Sequence, residues 1–441
     1  MKTLLCLMAL LTPGLGAAAP VALWTSDPVL PGQTVLVFGD GFAGCHRVHW
    51  ERLPDMAAGR AAGDVAPLQV RPRSVKFVLP ASVAPGVFRA AISTPGGSVN
   101  VWINRPQITW AQGDAGAEAT PGGFVRVFGK CLTARGEQPM IRVEGAGRIL
   151  SLKPARAEPF TVQATLPVSL TPGPYRVAVH SGAGGSGAWS EPIRFRVVAR
   201  TAPPGHRIAA PPAIGDADED TAAIQKALDG AGQGGGVVIL RAGRYLLNDG
   251  LTIPPHVTLR GAGMARTALC WADTETPPDA LIRGHDHFAV ENLCLYAVNY
   301  RHGIVADQTT PTAGYVRMAR VRMRLDPYRG HLTPEEVNKR FQEAQKLSTG
   351  GGDSLRLGGA DVEVTGCDIY GAGRCLYLSR GAGVWIHDNA FYNGRWGWYC
   401  ISGSDGVTFE RNTITGGDLM STGGGLNCLD GSNVSQNVYF A

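Results

Sequence analysis

Three stretches of this chain superpose without a gap: Val362-Glu363-Val364-Thr365-Gly366-Cys367-Asp368-Ile369, Val384-Trp385-Ile386-His387-Asp388-Asn389-Ala390-Phe391 and Val407-Thr408-Phe409-Glu410-Arg411-Asn412-Thr413-Ile414. Their starts lie 22 and then 23 residues apart. Each opens on alternating apolar residues and breaks at a polar corner, so one repeat is one coil of a β solenoid, a unit that buries its apolar face only by stacking on the next. Val438-Tyr439-Phe440 restarts the pattern after 31 residues, and weaker relatives begin at Phe288 and Val316. The register stacks Cys367, Asn389 and Asn412 at one corner. Asn tolerates the left-handed backbone of a tight turn and its amide bonds along a stack, so the column reads as architecture.

A second strand recurs in each coil: 354–357, 375–378, 398–401 and 426–429. Alternation sends Leu355/Leu357, Leu376/Leu378, Trp398/Cys400 and Leu426/Cys428 inward. It leaves Arg356, Tyr377, Tyr399 and Asn427 as an outward row at about 4.8 Å per coil. Cys400 and Cys428 fall at equivalent inward positions in this reading and are expected to be free thiols. One insertion interrupts the coils. Thr333-Pro334-Glu335-Glu336 is a capping box with Pro at the first helical position, and Val337, Phe341, Ala344 and Leu347 share a face, which predicts a helix over 334–347.

Upstream, Asp220 is a candidate N-cap, and Ile224, Ala227, Leu228 and Ala231 recur at helical spacing, predicting a helix from about Thr221 to Leu228. Short strands at Val237–Leu240, Tyr245–Leu247, Leu251–Ile253 and Val257–Leu259 follow, divided by Gly, Asn-Asp-Gly and Pro-Pro. The order Asp-Thr-Ala-Ala-Ile-Gln-Lys-Ala-Leu (220–228), Gly-Gly-Gly-Val-Val-Ile-Leu-Arg-Ala-Gly-Arg-Tyr (234–245) and Val-Thr-Leu-Arg-Gly-Ala-Gly (257–263) resembles the opening segment of the pectate-lyase-like superfamily. The resemblance covers roughly 216–441. It implies a right-handed parallel β-helix, a helix plugging its open end, and membership of a group consisting mostly of enzymes that act on polysaccharides.

Residues 22–200 carry an internal duplication. Leu30-Pro31-Gly32-Gln33-Thr34-Val35-Leu36-Val37-Phe38-Gly39 corresponds to Thr120-Pro121-Gly122-Gly123-Phe124-Val125-Arg126-Val127-Phe128-Gly129. Short alternating strands broken by Pro-Gly turns predict two immunoglobulin-like β-sandwiches, at 22–105 and 107–200, that act as spacers. A Pro-rich linker at 201–215 leads to the β-helix at 216–441. Lys2, the apolar Leu4–Leu11 and the small residues Gly16–Ala19 have the layout of a secretory signal peptide over 1–19, which predicts a secreted, periplasmic or cell-surface product. The last residues, Tyr439-Phe440-Ala441, lie inside a strand of a new coil, so the solenoid is expected to be incomplete at its C-terminus. The fold class is therefore all-β, two sandwiches followed by a helix-capped right-handed parallel β-helix.

The formal net charge is only +5 and no basic tract occurs, which argues against nucleic acid as a partner. No apolar run reaches the length of a membrane span. Eight cysteines follow the leader without the paired spacing of a metal site, and read as buried core thiols. No cofactor is predicted, calcium has no supporting carboxylate cluster, and a monomer acting on a polysaccharide is expected.

Cleaving a glycan needs two carboxylates about the scissile bond, or a base with a charge-neutralising partner for β-elimination. The superfamily likeness places the groove along the strand that follows the variable loops, here the outward row. Candidate catalytic residues beside it are Asp418, Asp430 and Asp353. Candidate substrate-binding residues are Arg356, Arg374, Tyr377, Arg395, Trp396, Tyr399 and Asn427: Trp396 and Tyr399 as sugar-stacking platforms, and Tyr377 or Tyr399 beside an arginine as a base near a uronate carboxylate. His387/Glu410 and Asp388/Arg411 read as surface charge pairs. The aspartate motifs and Gly-His-Gly of polygalacturonases are missing from the groove strand. The reading is an exported glycoside hydrolase or polysaccharide lyase, hydrolase placed first; a non-catalytic carbohydrate-binding or adhesion scaffold is the alternative.

Overall fold

The computed structural model describes residues 18–56, 58–200, 206–284, 286–306, 314–326, 335, 336, 339, 352–371, 374–392, 399–415, 429–430, 433–434 and 436–441. The expected leader and the expected helix over 334–347 lie outside them, wholly or almost wholly. The chain divides into two compact units: 1–109 with 126–165 and 175–194, and 110–125 with 166–174 and 195–441.

In the first unit, strands Val21–Thr25, Thr34–Asp40, Ser74–Val78 and Gln69–Arg71 form one antiparallel sheet, and Ala61–Val65, Arg47–Arg52, Phe88–Thr94 and Gly97–Ile103 a second. Alternate residues of both, among them Val35, Val37, Trp50, Phe77, Phe88 and Ile92, meet in one core, as period-2 strands packed face to face require. Two further four-stranded antiparallel sheets follow between Gln107 and Val197.

The second unit is a parallel β-helix whose strands pair coil upon coil. Its helix, Ala217–Gly232, starts one turn earlier than expected: Asp216 is the N-cap, accepting from the backbone N–H groups of Asp218 and Glu219. Asp220 lies inside the helix instead. It is buried, and its carboxylate accepts from the backbone of Ile214, Gly215 and Leu246, tying the cap to the strand Gly243–Leu247.

Three parallel sheets make the coils. The first stacks Arg207–Ala209, Gly236–Ile239, Val257–Arg260, then residues from Phe288, Val316, Val362, Val384, Val407 and Val438 onward. The repeats read from the sequence are neighbours in this one sheet, in the predicted register. A left-handed residue precedes the strand in most coils (His256, His287, Asp361, Gly383, Gly406, Asn437) and another follows it (Asn292, Arg320, Gly366, Asp388, Arg411), with φ between 49° and 71°. The Asn column stands one position later than this second turn. Asn389 accepts from the backbone N–H of Cys367 at 2.9 Å and donates to Val364 O at 2.9 Å and Asn412 Oδ1 at 2.9 Å; Asn412 in turn donates to Ile386 O at 2.8 Å. The ladder is architecture, as expected, while the left-handed strain falls on its neighbours.

The third sheet includes Leu251–Ile253, Ile282–Gly284, His302–Ala306, Asp353–Ala360, the first half of Arg374–His387, and Tyr399–Ser402. Leu355, Leu357, Leu376 and Leu378 are fully buried, as alternation predicts. The next strand is displaced by one residue from the predicted register: Leu376 pairs with Tyr399, Tyr377 with Cys400 and Leu378 with the buried Ile401. Tyr399 is therefore level with Leu376 and Cys400 with Tyr377, whereas the sequence reading set Tyr399 in the row of Tyr377. Cys428 lies outside the described residues.

Candidate functional site

The outward row of the third sheet runs Arg283, Val305, Arg356, Tyr377 in register, and Tyr377 pairs onward with Cys400. Three residues earlier along the same strands, His302, Asp353 and Arg374 are in register. At this end of the strands a buried carboxylate lies against two partly buried arginines. Asp353 is fully buried, its Oδ2 3.0 Å from Arg356 Nη1 and its Oδ1 2.8 Å from Arg374 Nε. Both guanidiniums sit over the Tyr377 ring, 4.4 and 4.8 Å from its centroid. The arginines keep 15% and 17% of their side chains exposed, so the cluster presents a half-buried phenol flanked by two cations whose orientation is set from below.

His302 is the residue the sequence reading missed. It stands at the position of Asp353 one coil earlier, with Nδ1 3.8 Å from Asp353 Oδ2, too long for a hydrogen bond, and that nitrogen has no partner. Burial pushes the imidazole below its ordinary value, against the pull of Asp353. The signal for it was its place two residues before the inward Ile304, which a strand traced to its first residue would have revealed.

The structure thus gathers Asp353, Arg356, Arg374 and Tyr377 into one contact set. Tyr399 is on the same sheet, where it pairs with Leu376 and not with Tyr377. Asp430 is not in the row: Leu429–Asp430 pairs antiparallel with Asn433–Val434, Asp430 opposite Asn433, in a separate two-stranded sheet. Asp418, Arg395, Trp396 and Asn427 lie outside the described residues.

The pairs at His387 also differ from the surface reading. Glu410 is fully buried and accepts from Trp385 Nε1 at 2.6 Å, while His387 bonds Glu363 at 3.0 Å and Asp388 at 2.6 Å. Cover comes from 110–125 of the same unit, where Gln112 bonds Val384 O and Thr408 Oγ1. Asp388 and Arg411 remain the exposed pair, at 2.8 Å, and that arginine holds the Asp388 carboxyl well below the usual carboxylate range. Among the described residues no three His, Cys, Asp or Glu side chains converge as a metal site, and no helix is long and apolar enough to cross a membrane.

The chain matches no family model and no curated protein. Among solved structures it is similar to the mannuronan C-5 epimerase A-module of Azotobacter vinelandii (18% identity, TM-score 0.34, over 47% of this chain). It spans 54% of that module's length. It is similar too to the family 28 exopolygalacturonase of Yersinia enterocolitica (12%, TM-score 0.29, 76% of this chain and 81% of that one). A third is the GH87 alpha-1,3-glucanase catalytic unit of Streptomyces thermodiastaticus (13%, TM-score 0.32, 92% of this chain and 62% of that one).

Proposed function

We propose that this chain is an exported enzyme that cleaves a uronate-containing polysaccharide on the outer face of its third sheet. The observation that carries the reading is the Tyr377 ring flanked by Arg356 and Arg374, both anchored on the buried Asp353. A guanidinium pair held in place by a carboxylate beneath it is a receptor for a planar anion, and a sugar carboxylate is the anion that a glycan supplies. Neutralising that carboxylate acidifies the adjacent ring C–H. The Tyr377 phenolic oxygen, its own proton passed to water, takes the ring proton, the C–H electron pair forms the ring double bond, and the glycosidic C–O bond breaks with its electron pair on the leaving oxygen, which takes a proton from water. In this scheme Asp353, with no exposed atom, positions the arginines and does not meet the sugar.

These groups favour elimination. Hydrolysis, placed first from the sequence, depends on Asp418 and Asp430 as the carboxylate pair. Full-length protein is assayed on neutral and uronate-containing glycans for reducing ends and for the unsaturated product's absorbance. Both signals together on uronates, lost in Arg356→Ala and Tyr377→Phe, support the reading. Reducing ends without the chromophore select hydrolysis, and glycan binding with neither signal selects the scaffold.

A further inference from the structure

A slot of about 870 Å³ lies on a different face, the outer side of the first sheet, and all its lining belongs to the second unit. Its floor is the outward row Arg207, Val237, Thr258, Ala289, Arg317, one residue per coil, running about 19 Å along the axis. The three middle side chains are small, so the floor is shallow and even. Along one side stand rings at successive coils. His256 and His287 lie 4.4 Å apart, and Tyr315 meets His287 edge-on at 5.4 Å. The two histidines occupy the left-handed turn that precedes each strand. Asp114, Glu118, Thr120 and Arg200 line it as well.

The charges in the slot are unequally engaged. Glu291 is paired with Arg260 at 2.7 Å, and Asp361 with Arg317 at 2.6 Å. Asp114 accepts from Thr120 and from the Phe124 backbone, and Glu118 faces Arg196 at 3.5 Å. Arg200 and Arg207 are both exposed, and neither has an ion pair among the described residues. A long even floor, a wall of rings at coil spacing and acceptor carboxylates suit a chain of hydroxyl-bearing rings, while Arg207 on the first strand and Arg200 elsewhere in the lining, neither ion-paired among the described residues, suit sparse negative charge. The carboxylates that share the lining would repel the dense phosphates of a nucleic acid.

We propose that this slot binds an acidic oligosaccharide lengthwise, its sugar rings against His256, His287 and Tyr315 and its carboxylates at Arg200 and Arg207. The site goes beyond the cleavage reading and stands without it, since it shares no residue with the third-sheet cluster. Calorimetry on the full chain in a Tyr377→Phe background, with size-defined oligogalacturonates and oligomannuronates against neutral gluco-oligosaccharides and a single-stranded oligonucleotide, tests it. Expected are binding of at least one acidic series that weakens with salt, falls about tenfold in Arg207→Glu and several-fold in His287→Ala, and persists in the Arg356→Ala/Arg374→Ala double variant. Arg207 is exposed at the first strand of the sheet, so Arg207→Glu decides even if His287→Ala unfolds. The proposal is overturned by no binding of either acidic series, by equal affinity for the neutral series, by preference for the oligonucleotide, by indifference to Arg207→Glu, or by loss of binding in the third-sheet double variant. Cleavage by wild-type protein is scored separately, so a slot that fails to bind leaves the catalytic reading standing or falling by its own assay.

Discussion

Replacing Asp353 by Asn tests whether the carboxylate beneath Arg356 and Arg374 organises the third-sheet cluster. The substitution keeps the volume and one acceptor but withdraws the charge that faces two guanidiniums at 3.0 and 2.8 Å. Removing one member of a buried ion pair costs about 3–5 kcal/mol, mostly because the other charge is left without a partner. Both arginines keep a sixth or so of their side chains in water, so the lower end applies, about 3 kcal/mol, or roughly two orders of magnitude in the folded ratio. Hydrogen exchange of Asp353–Ala360 and Arg374–His387 across a urea series reads that loss locally. Adding Arg374→Met removes one stranded cation and is expected to restore about 1–2 kcal/mol, a coupling that a double-mutant cycle isolates. If Asp353→Asn exchanges within about 1 kcal/mol of wild type while cleavage is abolished, the carboxylate acts on substrate directly and the positioning argument fails.

Asn389→Ala strands the Cys367 N–H and Val364 O at a buried corner, and about 2–4 kcal/mol should be lost by urea unfolding, against under 1 kcal/mol for a surface Asn. Gly383→Ala should cost at least about 2 kcal/mol in the same assay, since φ is +67° and the new Cβ would meet Ala117 N at 2.2 Å. His302 is held neutral by burial, so its contribution is present above its unfolded value near 6.5 and is lost as pH falls from there toward the lowered folded value; His302→Phe should flatten the stability–pH slope in that window by up to about 1.4 kcal/mol per unit. Cys367, fully buried with its thiol pushed up to about 12, should resist alkylation in folded protein and react once denatured, which peptide mass mapping reads.

The stacking of the coils was legible because Val362, Val384 and Val407 each begin an alternation that ends in a polar corner, and a period of two with a fixed break leaves one register. The phase of the strand at 399–402 was not, because Trp398-Tyr399-Cys400-Ile401 is apolar throughout and offers no alternation; only the pairing of Leu378 with Ile401 sets it. The helix start was blurred by an acidic run, Asp216, Asp218, Glu219 and Asp220, of which only contacts with Ile214, Gly215 and Leu246 single out the last as a buried tie. Glu410 read as a surface charge because its cover, Gln112 and its neighbours, lies some three hundred residues away in sequence. Of the site, Arg356 and Tyr377 followed from alternation, whereas His302 required knowing which residue of the preceding coil faces Asp353.

The paired left-handed turns around the first sheet separate what can vary from what cannot. From one coil to the next the start of that strand advances by 28, 46, 22, 23 and 31 residues, yet the second turn always falls four residues after the strand begins. Every difference in length is therefore absorbed past the Asn corner, much of it in the crossing that leads to the third sheet. The molecule has a spine of constant pitch and a fringe of free length, and new sequence can be spliced into the fringe, beside Arg356 and Tyr377, without disturbing the spacing of the coils.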